Sequence, residues 1–190
     1  KGYWEQENYI LMRRENISEL QIEFNLSLEE IEKKISVCKE KLIQESLSRI
    51  KPGLDDKCIT AWNALMCKAY GDAYLTFGNE EYKLVALNSI YFILKNLFNK
   101  DGRLLRTYKN GVAKIDAFLD DYAFVIDALI QSYIISADEK YLFKAKLLAE
   151  FVLHNFKNPE SEMLYYTGNA IDSLIVRTIE VHDNVIPSSN

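Results

Sequence analysis

Glycine and proline are scarce, 7 and 3 among 190 residues. A turn-rich all-β chain needs more of both, so long helices are expected. Cysteine is limited to Cys38, Cys58 and Cys67. That sparse, odd set excludes a disulfide scaffold and fits a reduced, cytoplasmic chain. Cys58 and Cys67 lie nine residues apart, so on one helix they would point in nearly opposite directions and could not share a metal. The two histidines, His154 and His182, show no ligand spacing with Cys or Asp. No metal site and no cofactor are therefore expected. Positive charge is also short: 23 Lys and Arg stand against 28 Asp and Glu, for a net charge of -5. With no basic face to neutralise phosphates, nucleic acid is excluded as a partner. Every apolar run is broken well short of a membrane span. Glycine-rich phosphate loops, nucleophile elbows and zinc motifs are missing. No signal peptide opens the chain, and Lys1 reads as a start within a longer protein.

What is present is helical pattern. Gly2 to Arg14 reads as short extended pieces around a polar turn at Glu5 to Asn8. Ser18-Glu19-Leu20-Gln21 forms a capping-box pattern for a short helix to Phe24. Ser27-Leu28-Glu29-Glu30 is a better box, with Leu26 and Ile31 placed as a staple. Its helix carries Leu28, Ile31, Ile35, Cys38 and Leu42 on one stripe and ends by Pro52-Gly53. Ile59 to Phe77 is a helix with Gly78 as its C-cap. Asn79-Glu80-Glu81 starts the next, which runs to about Leu97. Arg103 to Tyr108 and Val112 to Ile115 flank Lys109-Asn110-Gly111, a β-hairpin signal. Ala117 to Ser136 is a helix apolar almost all round, and Asp138-Glu139 starts its partner, which runs to about Phe156. Met163 to Thr167 and Leu174 to Thr178, around Gly168-Asn169, predict a second hairpin.

The pattern repeats. An offset of 59 pairs Tyr74 with Tyr133, Glu80 with Glu139, Tyr82 with Tyr141, Ala86 with Ala145, Phe92 with Phe151 and Asn96 with Asn155. The tripeptide Leu54-Asp55-Asp56 recurs as Leu119-Asp120-Asp121, but at an offset of 65. Read as the start of each unit, it predicts repeat units of about 54–116 and 117–180. It also predicts a first helix shorter by about two turns in the second unit, at about 3.6 residues per turn. Such hairpins bury their faces by stacking sideways, in an open arc or a closed ring. His182 to Asn190 resembles the lead-in to a third such helix. Apolar hairpin flanks left open at the chain end predict self-association.

Five stretches resemble one family: Pro52-Gly53-Leu54-Asp55-Asp56-Lys57; Thr60-Ala61-Trp62-Asn63-Ala64-Leu65-Met66; Asp101-Gly102-Arg103-Leu104-Leu105-Arg106; Phe118-Leu119-Asp120-Asp121-Tyr122-Ala123-Phe124; and Asp183-Asn184-Val185-Ile186-Pro187-Ser188-Ser189-Asn190. They are similar to the C-terminal region of the YyaL-type proteins, relatives of spermatogenesis-associated protein 20. The resemblance covers nearly the whole chain. It implies an all-α fold, part of an (α/α)₆ toroid of the six-hairpin glycosidase type, similar to N-acylglucosamine 2-epimerases. Residues 1–190 would then be a fragment of one such domain, with short β-hairpins at one end. The remainder of the toroid and an N-terminal thioredoxin-like domain would be its partners in the longer protein. This chain has no Cys-x-x-Cys, so thioredoxin activity does not carry over.

The candidate site follows from the acids. If ring closure gathers helix starts around a cleft, Asp56, Asp120 and Asp121 can do acid–base work on a sugar, as in a hydrolase or an isomerase. The competing reading is that one Asp of each pair is an N-cap and the other sits in the first-turn field. Trp62 and Tyr122 can stack on a sugar ring, with Asn63 holding a hydroxyl, or can fill core with one polar handle. Lys57, Arg106 and Arg177 can bind an anionic group or pair with nearby Asp, Arg106 with Asp120 or Asp121 first. Carbohydrate, or a related polar small molecule, is the expected ligand. A non-catalytic scaffold or protein-binding module is the alternative.

Overall fold

A computed structural model describes residues 2–3, 9–10, 16–169 and 176–190. The chain divides into two compact units, Lys1–Leu54 and Asp55–Asn190. In the first unit, β1 (Gly2–Tyr3) pairs antiparallel with β2 (Tyr9–Ile10). Helix α1 (Ile17–Phe24) follows, then α2 (Leu28–Ser48). The cap of α1 differs from the expected one. Asn16, not Ser18, is the N-cap, and its side chain and that of Glu19 bond each other's backbone amides at 2.9 Å. A Glu three residues on completes the reciprocal pair better than Gln21 does. Ser27 and Glu30 form the second box as the pattern predicts, and Leu26 and Ile31 line one hollow beside it.

The second unit is two helical hairpins and a small sheet. Helices α3 (Thr60–Phe77) and α4 (Glu80–Asn96) form the first hairpin, α5 (Leu119–Ser136) and α6 (Glu139–Asn155) the second. Each turn is made by a left-handed residue, Gly78 (φ 67°) and Ala137 (φ 56°). Asn79 and Asp138 cap the returning helices. Between the hairpins, β4 (Leu105–Lys109) and β5 (Val112–Asp116) pair around Asn110 (φ 52°) and Gly111 (φ 79°). Two positive φ values in a two-residue loop make the turn type I′, whose twist suits the strands. A two-residue strand, β3 (Cys58–Ile59), joins β4 on the other side and leads straight into α3. Part of the predicted second hairpin, residues 170–175, lies outside the described residues. On the described side, Tyr166 N donates to Thr178 O at 2.8 Å.

The core lies where α3, α4, α5 and α6 meet. Ala61, Ala64, Cys67, Ala86, Ile90, Ile93, Val125, Ala128 and Leu129 have no exposed surface. Small residues on α3 and α5 let the two helices approach closely. A Cβ on Gly71 would lie 2.5 Å from Cγ of Gln131. Helix α5 is buried on most of its circumference, as its nearly unbroken apolar sequence predicts.

The repeat is stricter than the tripeptide implied. α3 and α5 each have 18 residues, α4 and α6 each 17, and all four helix starts keep the offset of 59. The second hairpin is therefore not shortened. Leu54-Asp55-Asp56 is no counterpart of Leu119-Asp120-Asp121. It precedes α3 by several residues in an exposed loop, whereas Asp120 and Asp121 sit inside the first turn of α5.

Candidate functional site

Helix α3 begins badly by its own sequence. Its N-cap, Ile59, has no side chain that can accept a hydrogen bond. Thr60 Oγ1 donates instead to Leu105 O at 2.6 Å, tying the helix start to β4. The amide of Ala61 is satisfied from 60 residues away, by Oδ1 of Asp121 at 2.9 Å. The other oxygen of Asp121 accepts from the amide of Phe118, its own N-cap residue, at 3.0 Å. One carboxylate thus closes the starts of two adjacent helices. Neither Asp of the pair is an N-cap. Asp121 caps from within its own helix and across to the next, in the positive field of both.

Arg106 completes this clasp from β4. Its Nη1 donates to Asp120 at 2.9 Å and to Asp121 at 2.8 Å. The guanidinium also lies 4.8 Å from the centre of the Phe118 ring. Phe118 packs on Tyr166 at 5.1 Å, and Tyr166 O accepts from the Leu119 amide at 2.9 Å. Asp120 Oδ1 accepts from the Asp121 amide at 2.9 Å. Asp121 has no exposed surface and Asp120 has 4%. Burial, then the neighbouring Asp120 charge, pushes the Asp121 carboxyl up to about 6, against the pull of Arg106 and the two amides. Burial alone would lower the Arg106 guanidinium; Asp121 and Asp120 outweigh it and raise it, so it stays charged. Burial and the Asp120 charge likewise raise the Tyr166 phenol.

The remaining predicted residues are dispersed. Tyr122 is 2% exposed and turned into the core. Its hydroxyl accepts from the Leu104 amide at 3.1 Å, and its ring stacks on Phe151 at 5.2 Å. Burial raises its pKa to about 12. Its ring is core with one polar handle. Asn63 Nδ2 donates to Ile59 O at 2.8 Å, helping to close the start of α3. Trp62 is 57% exposed and follows directly on the clasped Ala61. Asp56 pairs with Lys109 on the hairpin, and Lys57 with Asp55 at 3.2 Å, all in solvent. Among the described residues Arg177 pairs with no Asp. It donates to the carbonyls of Thr167 and Asn155 and stacks on Tyr165 at 4.2 Å, closing the end of α6. Asp72 and Asp127 both face Lys68, at 3.3 and 4.0 Å. The fold therefore gathers Asp120, Asp121 and Arg106, keeps Trp62 exposed one residue along from the Ala61 amide they hold, and leaves Asp56, Tyr122 and Arg177 apart. Phe118 and Tyr166 belong to the cluster without having been singled out. Their only signal was aromatic residues bordering predicted elements.

No group of three or more His, Cys, Asp or Glu among the described residues is arranged to hold a metal ion. None of their helices is long and apolar enough to cross a membrane.

No family model matches the chain. Human spermatogenesis-associated protein 20 is 32% identical over 128 residues, 63% of this chain and 16% of that protein. Its mouse counterpart is 27% identical over 191 residues, 95% of this chain and 24% of that protein. An uncharacterised Caenorhabditis elegans protein is 31% identical over 173 residues, 86% of this chain and 23% of its own length. The chain thus spans at most about a quarter of these curated relatives. Among solved structures, a GH76 α-mannanase from Bacteroides thetaiotaomicron matches with a TM-score of 0.55 and 20% identity, over 62% of this chain and 33% of that one. Cellobiose 2-epimerase from Bacillus thermoamylovorans matches at 0.54 and 19%, over 57% and 29%. A D-mannose isomerase matches at 0.54 and 16%, over 57% and 28%. These likenesses show the fold: helical hairpins of an (α/α)₆ toroid, in a partial arc. By sequence, the chain is homologous to part of spermatogenesis-associated protein 20.

Proposed function

We propose that the whole protein binds carbohydrate in the cleft of a completed toroid, at the end where the inner helices α3 and α5 begin. The observation that carries this is an exposed indole, Trp62, one residue along from the Ala61 amide that the charged cluster holds, in a fold shared with three sugar-processing enzymes. An exposed Trp offers a flat apolar face to a sugar ring, and Arg106 and Asp120 offer hydrogen bonds to its hydroxyls. Within this reading the three candidate carboxylates divide. Asp120 engages one guanidinium nitrogen, one amide and the neighbouring Tyr166 phenol, and is the acid or base of any hydrolase or isomerase step. Asp121, with three donors on two oxygens, is a positioning residue. Asp56 lies at the rim with Lys109. Asn63 and Arg177 act by holding helix ends.

A second reading is a sugar-binding or protein-binding scaffold without catalysis. It is favoured by the engagement of both buried carboxylates in one ion pair and two helix starts. The open hollows between α5 and α6 and over the β4–β5 hairpin are lined by other residues. The experiment is a thermal-shift and turnover screen of the full-length protein against mono- and oligosaccharides, with Asp120→Asn and Trp62→Ala variants. Catalysis predicts turnover lost in Asp120→Asn with binding kept. A scaffold predicts binding lost in Trp62→Ala and no turnover in any form. No shift with any sugar would refute both sugar readings.

A further inference from the structure

Arg106 and Tyr166 hold equivalent places in the two repeat units. Leu105 N donates to Leu97 O at 2.7 Å just before Arg106, and Tyr165 N donates to Phe156 O at 2.8 Å just before Tyr166. From there both residues reach the start of α5. Arg106 arrives on β4, a strand held on one side by β3 and on the other by β5. Residues 164–166 have no such sheet, only a single bridge from Leu164 to Lys157. What holds them instead is the turn at 183–190. Asn190 Oδ1 accepts from the Leu164 amide at 2.7 Å, and its Nδ2 donates to Leu164 O at 3.1 Å. One side-chain amide thus takes both backbone groups of Leu164, as a facing strand residue would. The same Nδ2 donates to Glu180 O at 2.8 Å. Ser188 Oγ donates to that carbonyl at 3.1 Å, Ser188 N donates to Asp183 Oδ1 at 2.8 Å, and Ile186 packs on the core.

Tyr166 bears on both members of the Arg106–Asp120 pair. Its amide donates to Thr178 O at 2.8 Å, and its carbonyl accepts from Leu119 N at 2.9 Å, directly before Asp120. Its ring lies 5.1 Å from that of Phe118, on which the Arg106 guanidinium rests at 4.8 Å. We infer that the 183–190 turn is a buckle for this site, with Asn190 a positioning residue that acts on Asp120 and Arg106 through Tyr166. The inference rests on the sugar reading for its purpose, which is to keep the acid or base, Asp120, in place against its guanidinium. It gives the Asp183–Asn190 motif a task of its own: a side-chain amide stands in for the missing strand, two residues from the ring that completes the cluster.

The test places 3-fluorotyrosine at position 166 of the full-length protein and follows its fluorine NMR signal with pH. The fluorinated ring is more acidic than tyrosine, which brings its ionisation into range. It is expected to ionise at higher pH than the same label at Tyr91, which is 60% exposed, because burial and then the Asp120 charge oppose it. Asn190→Ala is expected to move the midpoint at 166 toward that at 91 and to leave the one at 91 unchanged. In an Asp120→Asn background the same change is expected to have a smaller effect, since the charge that Tyr166 retreats from is gone. Ser188→Ala gives up only its bond to Glu180, and is expected to cause a smaller fall in a protein that folds even where Asn190→Ala does not. A midpoint at 166 that neither variant moves, or a fall undiminished by Asp120→Asn, overturns the inference. Sugar binding is read separately, from Trp62 fluorescence, and Asn190→Ala is expected to weaken it about tenfold. A parent protein that no sugar moves refutes the sugar reading, and the fluorine midpoints still decide the buckle.

Discussion

Asp121→Ala is expected to destabilise the second unit by about 4 kcal/mol. Two helix-start amides, Ala61 and Phe118, lose their acceptor, at about 1 kcal/mol each. The charge-assisted bond from Arg106 adds roughly 1.5–3 kcal/mol. Arg106 keeps Asp120 as a partner, which holds the cost below that of an orphaned buried charge. In a domain of this size the loss corresponds to a fall in Tm of roughly 10 °C. Asp121→Asn is no rescue despite its shape. The site offers only donors, so the Asn amide group must face either Arg106 or a backbone N–H. Asp120→Ala removes one ion-pair contact and relieves repulsion on Asp121, and is expected to cost the lesser amount. Urea unfolding gives the magnitudes. Hydrogen exchange gives the place, because protection should fall at the Ala61 amide, 60 residues from the mutation. An Asp121→Ala protein within about 1 kcal/mol of the parent, or a fully protected Ala61 amide, refutes the clasp.

Other outcomes follow from the same contacts. Gly71→Ala should cost roughly 1–3 kcal/mol by overpacking against Gln131, and Gln131→Ala in the same molecule should recover most of it, as a double-mutant cycle will show. The Asp121 carboxyl should titrate near 6 in the native protein, by NMR. Because its native pKa lies above the unfolded value of 3.8, its contribution is fully present below that value and is lost as the pH rises through about 6. The loss is roughly 3 kcal/mol from this group, to be read as the pH-dependent difference between the parent and Asp121→Asn. Ile115, a β-branched residue at φ 66° and 57% exposed, should be improved by Ile115→Asn by about 1 kcal/mol in thermal unfolding.

Local chemistry made most of the fold legible in the sequence. The helix from Ile59 to Phe77 was read to within a residue because Gly78 marks its end, and the I′ hairpin because Asn110-Gly111 allows two positive φ values. The pairing of Arg106 with Asp120 and Asp121 followed from charge and proximity to predicted element ends. What misled was the recurrence of Leu-Asp-Asp. A tripeptide match carries no phase, and the true phase is the offset of 59 shared by all four helices. The absent cap of α3 was equally hidden. Its acceptor comes from another hairpin, and no local pattern at Ile59-Thr60-Ala61 announces a partner 60 residues away. Trp62 and Tyr122 look alike in sequence, each near a helix start, yet one is exposed and the other buried. They stand one residue out of phase in the repeat, which turns them to different sides of their helices.

The most direct test of the functional account is a fluorescence titration of the full-length protein. Here Trp62 is made the sole reporter by Trp4→Phe and by matching substitutions at any further tryptophans. Saturable quenching or a blue shift with a mono- or oligosaccharide, abolished in Asp121→Ala where the start of α3 loosens, is the predicted result. A Trp62 signal that no sugar moves, in a protein shown to be folded, would contradict it.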